Sequence, residues 1–210
     1  MKRSKKLPTR KRQALRRLAL LAVLAVLLSA LHLYNFLPSQ ALYELEERAN
    51  TGRTGVVMRQ WAAPNTGLEL LPRLMLLSEK DGVNLLTVMR FSLLLGWTPD
   101  TYAAEDCDPE ARLWGGLCEA DLLGTENRVG IFLRIMDPKI TTVEIKVKDQ
   151  TDVVEMTLQT EAASWTEMDD GTRYWCAAVW IPAGNIHTVM TATGYDADGS
   201  VAAEFDSYEP

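Results

Sequence analysis

The sequence predicts a mainly β protein behind one N-terminal membrane-spanning helix. Three features carry that expectation: a basic start leading into twenty uncharged residues, three Asp-Gly pairs set between apolar runs, and a strict alternation of apolar and charged residues over 142–148. Lys2, Arg3, Lys5, Lys6, Arg10, Lys11, Arg12, Arg16 and Arg17 make residues 1–17 a basic tail without a carboxylate, and the first acidic residue is Glu44. Residues 18–37 carry no charge. As a helix rising about 1.5 Å per residue they cover about 30 Å, the hydrocarbon thickness of a bilayer. The excess of Lys and Arg on one flank places that end in the cytoplasm and the rest of the chain outside.

A signal peptide has a shorter apolar core, of about 7–15 residues, and small residues before its cleavage site. Here Leu28 occupies the place in Leu28-Ser29-Ala30 that needs a small side chain. Residues 18–37 therefore read as an uncleaved signal anchor of a single-pass cell-membrane protein, with the lipid bilayer as its first partner. Pro38 is predicted to stop the helix. Residues 38–53 read as a stalk, a short helix with Leu42 and Leu45 on one side and Gly52 as its stop.

Residues 54–125 read as a small β-rich unit. Strands are predicted over 56–61, 74–78 and 83–95, the last two flanking Asp81-Gly82, since a two-residue hairpin turn needs positive φ. Apolar residues over 68–77, interrupted by Pro72, also suit a short helix, and periodicity alone does not separate the two. Residues 100–123 read as loop. The second unit, 126–210, is clearer. Its candidate strands are 129–136, 142–148, 153–159, 173–181, 187–194 and 201–205. Within 142–148, Val143, Ile145 and Val147 alternate with Glu144, Lys146 and Lys148, the pattern of a strand with one covered face. Six short strands separated by turn residues predict a β-sandwich.

The stretch 170–201 resembles the second half of bacterial immunoglobulin-like modules of surface and secreted proteins. The residues that carry the likeness are Asp170-Gly171, Trp175, Ala177, Val179, Ile181, Pro182 and Gly184, then His187-Thr188-Val189, Thr191-Ala192 and Asp196-Ala197-Asp198-Gly199. The resemblance implies that Trp175, Ala177, Val179 and Ile181 point into a sandwich and that Asp198-Gly199 joins its last two strands. Gly194 and Tyr195 depart from the usual spacing and leave room for a bulge. The likeness covers at most residues 126–210, and it implies fold, not activity. Residues 54–125 resemble no family.

Charge narrows the function classes. Beyond residue 37 only 13 Lys/Arg stand against all 28 Asp/Glu, a net charge of −15. Such a surface repels nucleic acid and favours a basic protein partner. Asp100, Glu105, Asp106, Asp108 and Glu110 form the densest acidic stretch, a weak calcium candidate because a hard cation wants several carboxylate oxygens. Asp196-x-Asp198-Gly199 lacks the remaining ligands of a calcium loop and reads as a turn. Cys107 and Cys118, with ten residues between them in an oxidising exterior, suit a disulfide that leaves Cys176 over. No metal, cofactor or catalytic set is predicted. His32 and His187 are the only histidines, no Ser or Cys nucleophile motif stands near His187, and Gly115-Gly116 lacks the Lys and Ser/Thr of a phosphate loop. Trp61, Trp97, Trp114, Trp165, Trp175 and Trp180 suit core and rim packing, with Trp180 out of phase with Trp175 and the better candidate for an exposed ring. The reading that results is an anchored interaction, display or sensing protein; the alternative is an anchored extracytoplasmic hydrolase. A deep cleft with convergent polar groups favours the enzyme, a flat or edge surface the binding module.

Overall fold

A computed structural model describes residues 9–31, 33–62, 73–120, 126–148, 153–182 and 188–207. Helix α1 (Thr9–Ala30) contains the one helix among them that is long and apolar enough to cross a membrane, Lys11–Ala30, and none of that span is buried inside the protein. It ends at Ala30, seven residues earlier than predicted. The Leu33 and Tyr34 amides both bond back to the Leu28 carbonyl, at 2.9 and 3.3 Å, and the chain then leaves the helix. Pro38 does not stop α1; it opens helix α2 (Pro38–Ala49), where a missing N–H costs nothing. Gln40 Oε1 accepts the Leu37 N–H at 3.1 Å, and α2 closes at Asn50 in the left-handed conformation (φ 55°), before Gly52. Nor is α2 a free stalk: Ala41, Leu42 and Leu45 are buried against a sheet.

The rest is β-structure in three antiparallel sheets. Strands β1 (Gly55–Ala62), β2 (Arg73–Lys80), β3 (Val83–Ser92) and β4 (Gly96–Asp106) form the first, in that order. The middle sheet runs β5 (Leu113–Ala120), β6 (Glu126–Ile135), β10 (Arg173–Pro182), β9 (Thr166–Glu167). The outer sheet runs β12 (Val201–Asp206), β11 (Val189–Tyr195), β7 (Thr142–Lys148), β8 (Val154–Glu161). All six strands predicted over 126–210 are present, and a register shift falls at Gly194/Tyr195 where the spacing left room for a bulge. Residues 73–80 are strand, not helix. The predicted loop over 100–123 is corrected: β4 reaches Asp106, and Leu113–Ala120 is a strand paired with β6 along its length.

The turns explain the strand ends. Lys80 pairs with Val83, so Asp81 and Gly82 form a two-residue turn with both φ positive, 53° and 87°. The other two Asp-Gly turns are longer and lean on aspartate side chains: Asp170 Oδ1 accepts the Thr172 amide, and Asp196 Oδ1 those of Asp198 and Ser200, at 2.9–3.0 Å.

Three apolar layers hold the stack. Ala41, Leu42 and Leu45 of α2 meet Leu74, Leu76, Leu85 and Met89 on one face of the first sheet. Its other face gives Met75, Leu77, Leu86 and Val88 to a layer shared with Phe132, Tyr174 and Cys176 of the middle sheet. The far face of the middle sheet, with Ile131, Leu133, Ile135 and Val179, packs on Val143, Ile145, Val147, Met190 and Ala192 of the outer sheet. At about 1.5–3 kcal/mol for each aliphatic side chain taken out of water, these layers are the main favourable term. Gly115 and Gly116 are space requirements here: a Cβ on the first would stand 2.8 Å from the Phe132 carbonyl oxygen, and on the second 2.5 Å from the Phe132 ring.

Candidate functional site

Among the described residues, α2 lies on the first sheet and the middle sheet is covered on both sides, whereas no element packs on the outer face of the outer sheet. Alternation builds it. In β7 the buried positions are Val143, Ile145 and Val147, which leaves Thr142, Glu144, Lys146 and Lys148 on the opposite face. Register then assembles rows across four strands. Thr191 lies between Lys146 and Asp206, with Thr157 beyond Lys146; Thr193 lies between Glu144 and Glu204, with Gln159 beyond Glu144. The result is a lattice of hydroxyl, amide and charged groups. Lys146 Nζ and Glu144 Oε1 are 2.9 Å apart, and the Glu144 hydrogen bond and negative charge hold the Lys146 ammonium above its ordinary pKa. Three carboxylates, Glu144, Glu204 and Asp206, share this face with Lys146 and Lys148.

The acidic stretch is spread along β4 and the turn that follows it. Asp100 lies in β4 and pairs with Arg73 across the sheet and with Arg90 at 3.6 Å. Glu105 is partly buried in the same strand, and burial, then the charge of Asp106, push its carboxyl above the ordinary range. Asp108 turns back to accept the Glu110 amide at 2.9 Å. No group of three or more His, Cys, Asp or Glu side chains placed to share a metal ion occurs among the described residues, so the structure does not gather the five carboxylates of the calcium candidate.

The cysteines are corrected as well. Cys107, Cys118 and Cys176 are buried thiols, and no bond joins Cys107 to Cys118. Cys107 Sγ accepts from Arg134 Nη1 at 2.8 Å, while Cys118 lies mid-strand opposite Gly130. Burial raises the Cys107 pKa and pushes that of Cys176 up to about 12, so both stay in the unreactive thiol form near neutrality. Tyr174, also raised to about 12 by burial, lies opposite Arg134 in the register. This partly buried Arg134–Cys107 contact, like the Arg73–Asp100 pair, joins residues far apart in sequence, and no local pattern announces either.

Clefts lie along α2. One of about 360 Å³ is lined by Tyr43, Glu46, Glu47, Asn50, Gly52 and Arg53. Its groups are already engaged: the Arg53 guanidinium lies 3.0 Å over the Tyr43 ring, and buried Glu46 accepts from the Thr54 amide and hydroxyl. His32 and His187 both lie outside the described residues, as does the side chain of Trp180. Trp165 and Trp175 pack against the layer between middle and outer sheets and Trp114 against the layer between first and middle sheets, whereas Trp61 is exposed.

The chain matches no protein-family model, no curated protein and no solved structure.

Proposed function

We propose that this protein is a single-pass membrane protein, basic amino terminus in the cytoplasm, whose outer part is an immunoglobulin-like recognition module. Strand order is the observation that carries the reading. In immunoglobulin domains one sheet runs A-B-E-D and the other contains C, F and G, with C′ added beside C in some. The middle sheet, β5-β6-β10-β9, reads as A-B-E-D, and the outer sheet, β12-β11-β7-β8, as G-F-C-C′. On this reading the module begins at β5, ahead of residue 126, and the β11–β12 turn at Asp198-Gly199 joins its last two strands. The first sheet covers the A-B-E-D face, which leaves the G-F-C-C′ face for a partner. A net charge of −15 beyond residue 37 favours a basic partner and steers its approach.

A photoreactive residue at Thr193, the centre of the open face, tests this in the native membrane. A discrete cross-linked protein is expected, and the yield should fall when Glu144, Glu204 and Asp206 are neutralised or salt is raised, because exposed charges are screened over about 8 Å at physiological ionic strength. Equal capture from a photoreactive residue at Glu110, off this face, would reject it. So would turnover of a substrate lost on changing His187.

A further inference from the structure

We infer that the β3–β4 hairpin tip, Leu93-Leu94-Leu95, is a second membrane contact that enters the outer leaflet beside the end of α1. Three consecutive leucines stand almost bare, at 79, 85 and 55% exposure, and no charged residue lies between Arg90 and Asp100. A charge-free apolar tip of this kind marks a binding surface. Its position identifies the occupant. The Asn35 amide donates to the Leu95 carbonyl at 3.1 Å, and the Trp97 amide to the Asn35 carbonyl at 2.8 Å, five residues after α1 ends. Gly96 is obligatory at this junction: its φ is +73°, and a Cβ there would stand 2.1 Å from the Asn35 oxygen. The tip is thus tied to the outer end of the membrane helix. Phe36 folds back to line a cleft with Ala25, Val26, Ser29 and Ala30, which brings an exposed aromatic ring alongside the last turns of α1.

Helix length supplies an independent reason. Charge-free α1 runs from Leu18 to Ala30 and covers about 20 Å, roughly 10 Å less than a hydrocarbon core. Apolar surface is needed beyond Ala30, and the leucine tip, hydrogen-bonded to the chain that follows α1, supplies it. Trp97, which follows the tip and packs on the α2 layer, holds its ring centroid 5.9 Å from that of exposed Trp61, the kind of aromatic pair found at a membrane–water boundary. Chain that leaves a helix near lipid must satisfy its backbone groups, and Asn35 does so through β4 and its turn. The consequence is a fixed orientation: the first sheet is pinned to the bilayer at two points and does not swing on a linker.

This inference rests on the membrane reading above, and one experiment separates the two. The full chain is placed in nanodiscs containing doxyl-labelled lipid, with an environment-sensitive fluorophore on Leu94→Cys, on Val23→Cys in α1, or on Asp198→Cys in the β11–β12 turn; the native thiols are buried, and the unsubstituted chain reports background labelling. Loss of emission at residues 23 and 94 but not at 198 is expected. Quenching at 23 without quenching at 94 overturns the tip assignment and leaves the anchor standing. No quenching at either overturns the membrane reading itself. A shielded, blue-shifted label at 94 that lipid fails to quench identifies a protein or second-copy contact and also overturns the assignment. Leu93→Cys repeats the measurement should Leu94→Cys fold poorly.

Discussion

The first and outer sheets are both four-stranded and antiparallel, yet one is covered on two faces and the other on one. In β2, Leu74 and Leu76 face α2 while Met75 and Leu77 face the middle sheet; in β3, Leu85 and Met89 oppose Leu86 and Val88 in the same way. Such strands read as unbroken apolar runs, and buried Ser78 and Thr87 turn their hydroxyls to the Leu85 and Thr101 carbonyls. β7 keeps its charges on the open side and alternates cleanly. Burial on both faces erases the very period by which a strand is recognised, so the better protected sheet is the less legible one.

Substitutions can break or sharpen that contrast. The largest effect is expected at Phe132, fully buried between first and middle sheets: Phe132→Ala should cost about 3–5 kcal/mol in chemical denaturation of the full chain in nanodiscs. A cost under about 1 kcal/mol would mean that those sheets are not closely packed. A neighbouring-pair scan comes next. Leu76→Ala and Leu77→Ala, on opposite faces of β2, should each cost about 2–5 kcal/mol. In β7 only Ile145→Ala should do so, with Lys146→Ala within about 0.5 kcal/mol. Tolerance at either leucine would show a one-faced sheet and dissolve the comparison.

The smallest effect is electrostatic. Burial, then Asp106, raise the Glu105 carboxyl above its ordinary 4.5, so the folded state holds this proton more tightly than the unfolded state. Stability is therefore lost as pH rises through the window above 4.5. Glu105→Gln should raise the melting temperature at neutral pH, with the gain shrinking below that window. A fall in melting temperature at neutral pH would mean that the fold uses Glu105 as an anion.

Local patterns explain how much was readable. Strand β7 coincides with its predicted bounds because Glu144, Lys146 and Lys148 mark its open face, and the Asp-Gly pairs marked three turns because positive φ is a local demand. β5 carries no such mark: Gly115-Gly116 has the composition of a turn, and the glycines instead admit the Phe132 carbonyl and ring. The acidic stretch looked like a site because sequence shows its density and not the Arg73 and Arg90 that neutralise Asp100. The candidate face was legible only in part: β7 announced its charges, but the neighbours that complete the lattice follow from register.

Taken alone, the sequence determined the apolar N-terminal helix, the mainly β character of the remainder, its hairpin turns and its acidic balance, since each depends on residue type or short-range periodicity. Only the tertiary structure decided that α1 ends at Ala30, that α2 lies on a sheet, that the thiols stay apart, and that three sheets stack with one broad face open. Those outcomes depend on contacts between residues distant in the chain, such as Asn35 with Gly96 and Arg134 with Cys107, and no local pattern encodes a contact whose partner lies 27 or 61 residues away.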